Sequence, residues 1–367
     1  MYCRSIVLEN YRNIEKASIE FSPGVNVLIG NNAQGKTNVL EAIYTFARGK
    51  SFRGASDREI ATIGKNEYFN TLNYEAEGRE QQLSIRYYEG AKVRHHNRIK
   101  IDRLPDMIGR FRAVFFCPDH LSLIKGGAGE RRSLLNIALS QSMPGYIKWL
   151  SNYNAIVVNR NTLLREENFS AKNKSQIEAW SLILANYAAD IYMARKDYIS
   201  RLEYYINLYI NEMTRGAESV SLRYRCDIDD KEATKEKVIQ DYTSLLLNNI
   251  EKEKNAKATL YGIHRDDIII KLNGVNSRNF TSQGQQRSIA LAIKLAEGEI
   301  SRDLMGEYPV FLFDDVLSEL DDSRKNYVLN ALENRQIIIT SCEKDLFCDD
   351  REIRKIYVEK GKYTILQ

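Results

Sequence analysis

The chain has 367 residues, 43% of them hydrophobic, with a formal net charge of +4 and five cysteines. That length suits two or three domains and that apolar share builds an ordinary core, while so mild a charge does not by itself imply nucleic-acid binding. No apolar run is long enough to cross a bilayer, no charged-then-apolar leader opens the chain, and Cys3, Cys117, Cys226, Cys342 and Cys348 form no C-x-x-C pair; the expectation is a cytoplasmic protein without a disulfide frame.

In chain order, Ser5 to Leu8 and Ala17 to Phe21 read as short strands, with the turn Ser22-Pro23-Gly24 behind them. The polar loop between the strands carries Arg12, which reaches a phosphate if the sheet brings it near residue 30; a solvated arginine fits the spacing equally well. The apolar run Val25 to Ile29 then leads into Gly30-Asn31-Asn32-Ala33-Gln34-Gly35-Lys36-Thr37, and Asn38 to Ile43 has helical apolar spacing. Strand, glycine loop and helix follow one another as phosphate binding requires. Gly30 and Gly35 let backbone N–H groups curl round the phosphates, Lys36 adds a point charge, and the Thr37 hydroxyl is available to Mg²⁺.

Between Arg86 and Arg103 the cations Lys92, Arg94, Arg98 and Lys100 interleave with Tyr87-Tyr88 and His95-His96. Such a basic hairpin suits contact with a phosphate backbone, which needs charge and no base reading, so Arg94, Arg98 and Lys100 are candidate DNA contacts. A plain solvated hairpin reads the same way. Ala113 to Phe116 is a short buried strand.

From Tyr146 to Arg215 there is neither glycine nor proline. Ile177, Trp180, Leu184, Tyr187, Ile191, Ala194, Tyr198, Tyr205 and Leu208 fall on 3-and-4 steps, with Arg201 the one polar interruption, predicting one long helix with a seam. Trp149, Tyr153, Ile156, Leu163 and Leu164 form the seam of its partner, with Glu166 to Asn168 and Ala171 to Lys174 as the connection. A strand over Val220 to Arg225 and an amphipathic helix through Val238, Tyr242, Leu245, Leu246 and Ile250 follow. Ile268 to Leu272 and the turn Asn273-Gly274 then suggest a hairpin.

Pro309 to Asp315 is an apolar strand ending in two carboxylates. Asp314 is placed to complete the Mg²⁺ shell that a phosphate loop leaves open, and Asp315 to polarise the attacking water as general base. Asp321 and Asp322 cap the next helix or face a partner. Ser282-Gln283-Gly284-Gln285 precedes the helix Ser288 to Leu304, so Ser282 and the Gly284 amide lie at a helix N-terminus, where anions are favoured. Taken alone, this is an ordinary N-cap.

Upstream of an apolar strand ending in acids, however, Ser282 to Gln285 resembles the signature motif of the ABC ATPases, which meets the γ-phosphate bound by the other subunit. A closer resemblance runs almost the whole chain. Leu8 to Asn13, the loop at 30–37, Leu123 to Arg132, His264-Arg265-Asp266-Asp267, Ser282 to Arg287 and Asp314 to Asp321 are similar, in order, to the RecF family of bacterial recombination mediators. The resemblance implies an α/β P-loop ABC/SMC-type ATPase head with a β-rich N-terminal lobe and an inserted helical lid or arm: the head at 1–125 and 258–367, the insertion at 126–257. It implies ATP and Mg as cofactors, a homodimer formed on ATP, slow hydrolysis, double-stranded DNA beside single-strand gaps as partner, and work with RecO and RecR to load RecA.

Three departures bear on this. The histidine that transporter-type ABC ATPases carry after the strand Gln336 to Ser341 is absent, as is the glutamine that often follows the lid-facing strand in ABC heads, a region occupied here by Phe116-Cys117-Pro118-Asp119. Most ABC heads have Glu where Asp315 stands; its shorter side chain holds water less closely, so slow turnover is expected, with ATP acting more as a dimer clamp than as fuel. The alternative is an ABC-type ATPase with no DNA role, such as a transport-coupled subunit.

Overall fold

The computed structural model describes residues 1–228, 234–317, 320, 322–343 and 353–366. Ser318, Glu319 and Asp321, part of the acidic motif read from the sequence, lie outside the described residues. The chain divides into two compact units, one of residues 1–120 with 291–367 and the other of 121–290. The second is longer than the expected 126–257 insertion, because it takes in the strands and short helix that precede Ser282.

The first unit opens with β1 (Tyr2–Tyr11) and β2 (Ile14–Glu20), an antiparallel hairpin. After β3 (Val25–Ile29), α1 (Lys36–Arg48) and α2 (Asp57–Ile60) come β4 (Glu67–Ala76), β5 (Arg79–Tyr88), β6 (Ala91–His96) and β7 (Ile99–Ile101). These build a sheet in the order β2-β1-β4-β5-β6-β7. Its successive hairpins turn on Glu77-Gly78, Glu89-Gly90 and Asn97-Arg98, all at positive φ, the geometry that follows the natural twist of paired strands. Ile6, Leu72, Leu83 and Ile85 line its buried face. β8 (Ala113–Phe116) belongs to a second sheet.

The second unit begins with α3 (Ser122–Lys125), α4 (Ala128–Ser142) and the hairpin of α5 (Tyr146–Leu164) and α6 (Ala171–Thr214). The connection is shorter than expected: Ala171 to Lys174 are helical, because Ser170 caps α6 in a box with Asn173. Of the predicted seam, Ile177, Leu184, Ile191, Ala194 and Tyr198 are buried, Trp180 and Tyr187 are half-buried, and beyond Tyr198 the stripe drifts. Ile206, Tyr209 and Ile210 are buried, whereas Leu208 is 43% exposed. A stripe extrapolated at heptad spacing slips about 20° per heptad against a true 3.6-residue turn, and α6 is 44 residues long.

β9 (Val220–Arg225), α7 (Lys235–Asn248), α8 (Ile250–Ala256), β10 (Asp267–Leu272), β11 (Val275–Asn276) and α9 (Ser277–Phe280) complete the unit, with a sheet in the order β11-β10-β9. Buried Arg160 on α5 ties three segments together, reaching Glu253 Oε2 at 2.9 Å, Ser181 Oγ at 3.0 Å and Thr259 Oγ1 at 2.9 Å. Each charge is thereby partnered, as a dry interior requires. α10 (Gln283–Met305) starts five residues before the expected Ser288 and carries the chain back into the first unit.

There β12 (Val310–Asp314), α11 (Asp322–Ala331), β13 (Ile337–Ser341), β14 (Ile353–Glu359) and β15 (Lys362–Leu366) finish the second sheet, in the order β15-β14-β3-β13-β12-β8. All neighbours in it are parallel except the β14–β15 hairpin. Val310 to Phe313 and Ile337 to Ile339 are wholly buried, the continuous apolar run of strands covered on both faces. On one face α10 comes close enough to β12 that a Cβ on Gly298 would lie 2.2 Å from Phe311 Cζ. Two parallel strands, β3 and β12, thus deliver the glycine loop and the acidic pair to the same end of the sheet.

Candidate nucleotide-binding site

The loop leaving β3 uses positive φ at Ala33 (63°) and Gly35 (113°), and Gly35 caps α1. Lys36 is buried, its Nζ donating to the carbonyls of Gly30 at 2.6 Å and Asn31 at 3.0 Å, with Cys342 Sγ at 3.4 Å. The ammonium is therefore anchored over the loop, where a phosphate would meet it. The next residue faces the acid strand: Thr37 Oγ1 donates to Asp314 Oδ1 at 2.8 Å.

Asp314 also accepts from Thr340 Oγ1 at 2.8 Å, and Thr340 Oγ1 in turn accepts from the Asp315 backbone N–H at 2.9 Å. Burial lifts the Asp314 carboxyl above the usual carboxylate range, opposed by the hydroxyls of Thr37 and Thr340. A hydroxyl and a carboxylate held in contact are oxygen ligands of the kind Mg²⁺ takes beside nucleotide phosphates, and no cluster of three metal-ligating side chains occurs among the described residues to offer another site. Asp315 has φ of 53°, a strained conformation for a residue with a side chain, imposed where the strand turns out of the sheet.

These groups enclose a cavity of about 170 Å³ lined by Asn32, Ala33, Gly35, Lys36, Thr37, Asn38, Arg53, Asp315 and Thr340. Of the loop residues read as cofactor-binding, Gly30, Asn31 and Gln34 shape the loop without lining this cavity. Gly30 lies against β14 and Gln34 against the β14–β15 turn.

Arg12, expected at the phosphates, is instead clamped to Glu41 by Nε at 2.9 Å and Nη2 at 2.6 Å, with Nη1 on the Glu59 carbonyl at 3.0 Å. Arg53 occupies the cavity wall. Its Nη1 bonds Asn38 Oδ1 at 2.9 Å and lies 3.5 Å from buried Glu41. Nothing in the sequence Arg48 to Gly54 singles out one arginine; only the return of that loop onto α1 does.

In the second unit Ser282 forms a reciprocal capping box at the start of α10. The Ser282 N–H donates to Gln285 Oε1 at 2.8 Å and the Gln285 N–H to Ser282 Oγ at 3.2 Å. Gln285 Nε2 also holds Glu218 Oε1 at 2.7 Å. Ser282 and Gln283 are exposed. The motif is thus a rigid helix N-terminus with an accessible face.

The candidate DNA contacts do not form one surface. Arg94 pairs across the sheet with Ile85 and Ile101 on the buried face, Lys100 stands opposite His95 on the other face, and Arg98 sits in the turn. Arg94 on β6 and Lys100 on β7 pair with neighbours of opposite faces, so the hairpin register separates them. Several neighbouring cations are also paired: Lys92 with Asp57 at 2.6 Å, Lys100 with Asp102 at 3.1 Å and Arg86 with Glu67 at 3.5 Å.

Residues 1–354 match the family described as AAA ATPase domain. The chain is 38% identical over 341 residues to the DNA replication and repair protein RecF of Clostridium perfringens (strain SM101 / Type A), covering 93% of this chain and 92% of that protein. With its counterpart in Clostridium novyi (strain NT) it shares 38% identity over 365 residues, 99% and 98% of the two chains. The chain belongs to the RecF family. A solved structure of the recombination mediator protein RecF with ATP superposes with a TM-score of 0.93 at 33% identity, covering 100% of this chain and 98% of that one. An Smc head bound to the C-winged helix domain of ScpA shares the fold alone, with a TM-score of 0.54 at 13% identity. The RecF-family chain is accordingly an ATPase of SMC-like architecture.

Proposed function

We propose that this chain is an ATP-gated recombination mediator: two copies close on ATP, bind double-stranded DNA at single-strand gaps, and with RecO and RecR help load RecA, hydrolysing ATP slowly. The observation that carries the reading is the size of the cavity between the phosphate loop and Asp315, about 170 Å³. Sites that bury a whole small molecule run to roughly 300–1,000 Å³. The cavity suits the phosphate end of ATP and calls for a further wall, which Ser282 to Gln285 of a second copy supplies with a helix N-terminus suited to an anion.

In this reading Lys36 holds the phosphates, Thr37 and Asp314 hold Mg²⁺, Asp315 accepts the proton of the attacking water, and residues 126–257 are the lid or arm. The protein works in the cytoplasm. Binding to gapped duplex DNA, followed by electrophoretic shift with and without ATP at rising salt, tests it. ATP-enhanced affinity that falls steeply with salt is expected from phosphate contact. Absence of any shift at low salt would remove the DNA role.

A further inference from the structure

The C-terminal hairpin of β14 and β15 meets the phosphate loop at both of its glycines. A Cβ on Gly30 would lie 2.3 Å from the Val358 carbonyl oxygen of β14, and one on Gly35 would lie 3.0 Å from the Tyr363 hydroxyl of β15. At the tip between these strands the Lys360 N–H donates to Gln34 Oε1 at 2.6 Å and the Gly361 N–H to the Gln34 carbonyl at 3.1 Å. The Tyr363 hydroxyl stands 3.4 Å from the Gly35 carbonyl. The turn is pinned from behind, since Gly361 adopts φ of 74° and a Cβ there would lie 2.9 Å from the Asn13 carbonyl oxygen.

A loop that cradles phosphate with its backbone N–H groups binds well only if those groups already point inward. Here the carbonyl and side chain of Gln34 and the carbonyl of Gly35 are held from outside, leaving the loop's N–H face to a ligand. We propose that the C-terminal hairpin is a latch that sets the phosphate loop, with Lys360, Gly361 and Tyr363 as positioning residues for ATP. The proposal rests on the reading that residues 30–37 take the phosphates of ATP. It assigns no contact between the hairpin and the base.

The test is titration of full-length protein with a fluorescent ATP analogue and Mg²⁺, beside steady-state hydrolysis, for Tyr363→Ala, Gly361→Val and Gln34→Met, with Lys36→Ala for reference. The latch predicts that Tyr363→Ala and Gly361→Val raise Kd and KM by about tenfold with kcat changed less than about twofold, the pattern of weakened uniform binding. Gln34→Met, which removes only the acceptor for Lys360, is expected to weaken ATP binding in the same direction without lowering the thermal midpoint. Competition by GTP should weaken in parallel with ATP, because the latch acts on phosphates. Unchanged ATP affinity in both Tyr363→Ala and Gln34→Met overturns the latch, as does a changed ATP-to-GTP preference or an affinity loss seen only in variants that melt early. Normal ATP binding by Lys36→Ala would instead sink the phosphate-loop reading itself.

Discussion

The Thr37 hydroxyl and the Asp314 carboxylate are in hydrogen-bond contact at 2.8 Å although 277 residues separate them. The contact joins the end of the glycine loop to the end of the acid strand and brings together the two oxygens that would hold Mg²⁺. Replacing Asp314 with Asn keeps the shape and removes the charge. ATP binding to Asp314→Asn is therefore expected to lose most of its dependence on Mg²⁺, while binding without the metal stays near wild type. Paired titrations with Mg²⁺ and with a chelator measure this.

Lys36→Ala removes a buried ammonium held by two carbonyls over the loop. A charge-assisted contact contributes roughly 1.5–3 kcal/mol, so ATP affinity should fall by about ten- to a hundredfold or more. ATP-dependent dimerisation should vanish with it. Sedimentation that finds an unchanged ATP-induced dimer would contradict the assignment.

For Asp315→Asn the expected outcome is an ATP-bound dimer that persists, with hydrolysis slowed by about 10²–10⁴, the usual contribution of a general base. The strained φ at Asp315 supports a role beyond strand capping. Hydrolysis at the wild-type rate would transfer the role elsewhere.

Ser282→Arg places a bulky cation on an exposed cap and leaves the sequence of the phosphate loop unchanged. ATP binding by the monomer should be retained and the ATP-dependent dimer lost. Light scattering of the variant that shows a normal dimer would refute contact in trans.

A pH effect resides in the second unit. Burial raises the Asp266 carboxyl from the ordinary value of 3.8 to about 6, against the pull of Arg195 and of the Tyr224 hydroxyl, and its Oδ1 has no hydrogen-bond partner. The folded state holds that proton more tightly than the unfolded one, so the contribution of this group to stability is greatest below about pH 4 and falls as pH rises to about 6. The difference is worth about 3 kcal/mol. Thermal midpoints of Asp266→Asn and wild type measured across that window should converge toward the acid end and separate, with wild type losing ground, toward neutrality; parallel curves would assign the pH response to other groups.

The phosphate loop and the acid strand were legible because their chemistry is local: glycines, lysine and hydroxyl within eight residues, and carboxylates directly after a buried strand. Ser282 to Gln285 read as a helix start for the same reason. What could not be read depended on the return of distant chain. Arg53 enters the cavity wall only because its loop folds onto α1, and Arg12 leaves it because buried Glu41 claims both sides of the guanidinium. Arg94 and Lys100 look equivalent in a run of cations, yet the β6–β7 hairpin places them on opposite faces. Asp266 and Asp267 stood in a recognisable motif, but their buried partners, Arg195 at 3.4 Å and Arg131 at 2.7 Å, lie on helices far earlier in the chain.

The approach of Gly298 to Phe311 carries a consequence for genetics. A methyl group on that helix would press on the strand that ends at Asp314, with no slack on the sheet side to absorb it. Screens for inactive alleles should therefore recover Gly298 substitutions that mimic active-site lesions, and second-site suppressors should appear as smaller side chains at position 311 rather than at any residue that touches nucleotide.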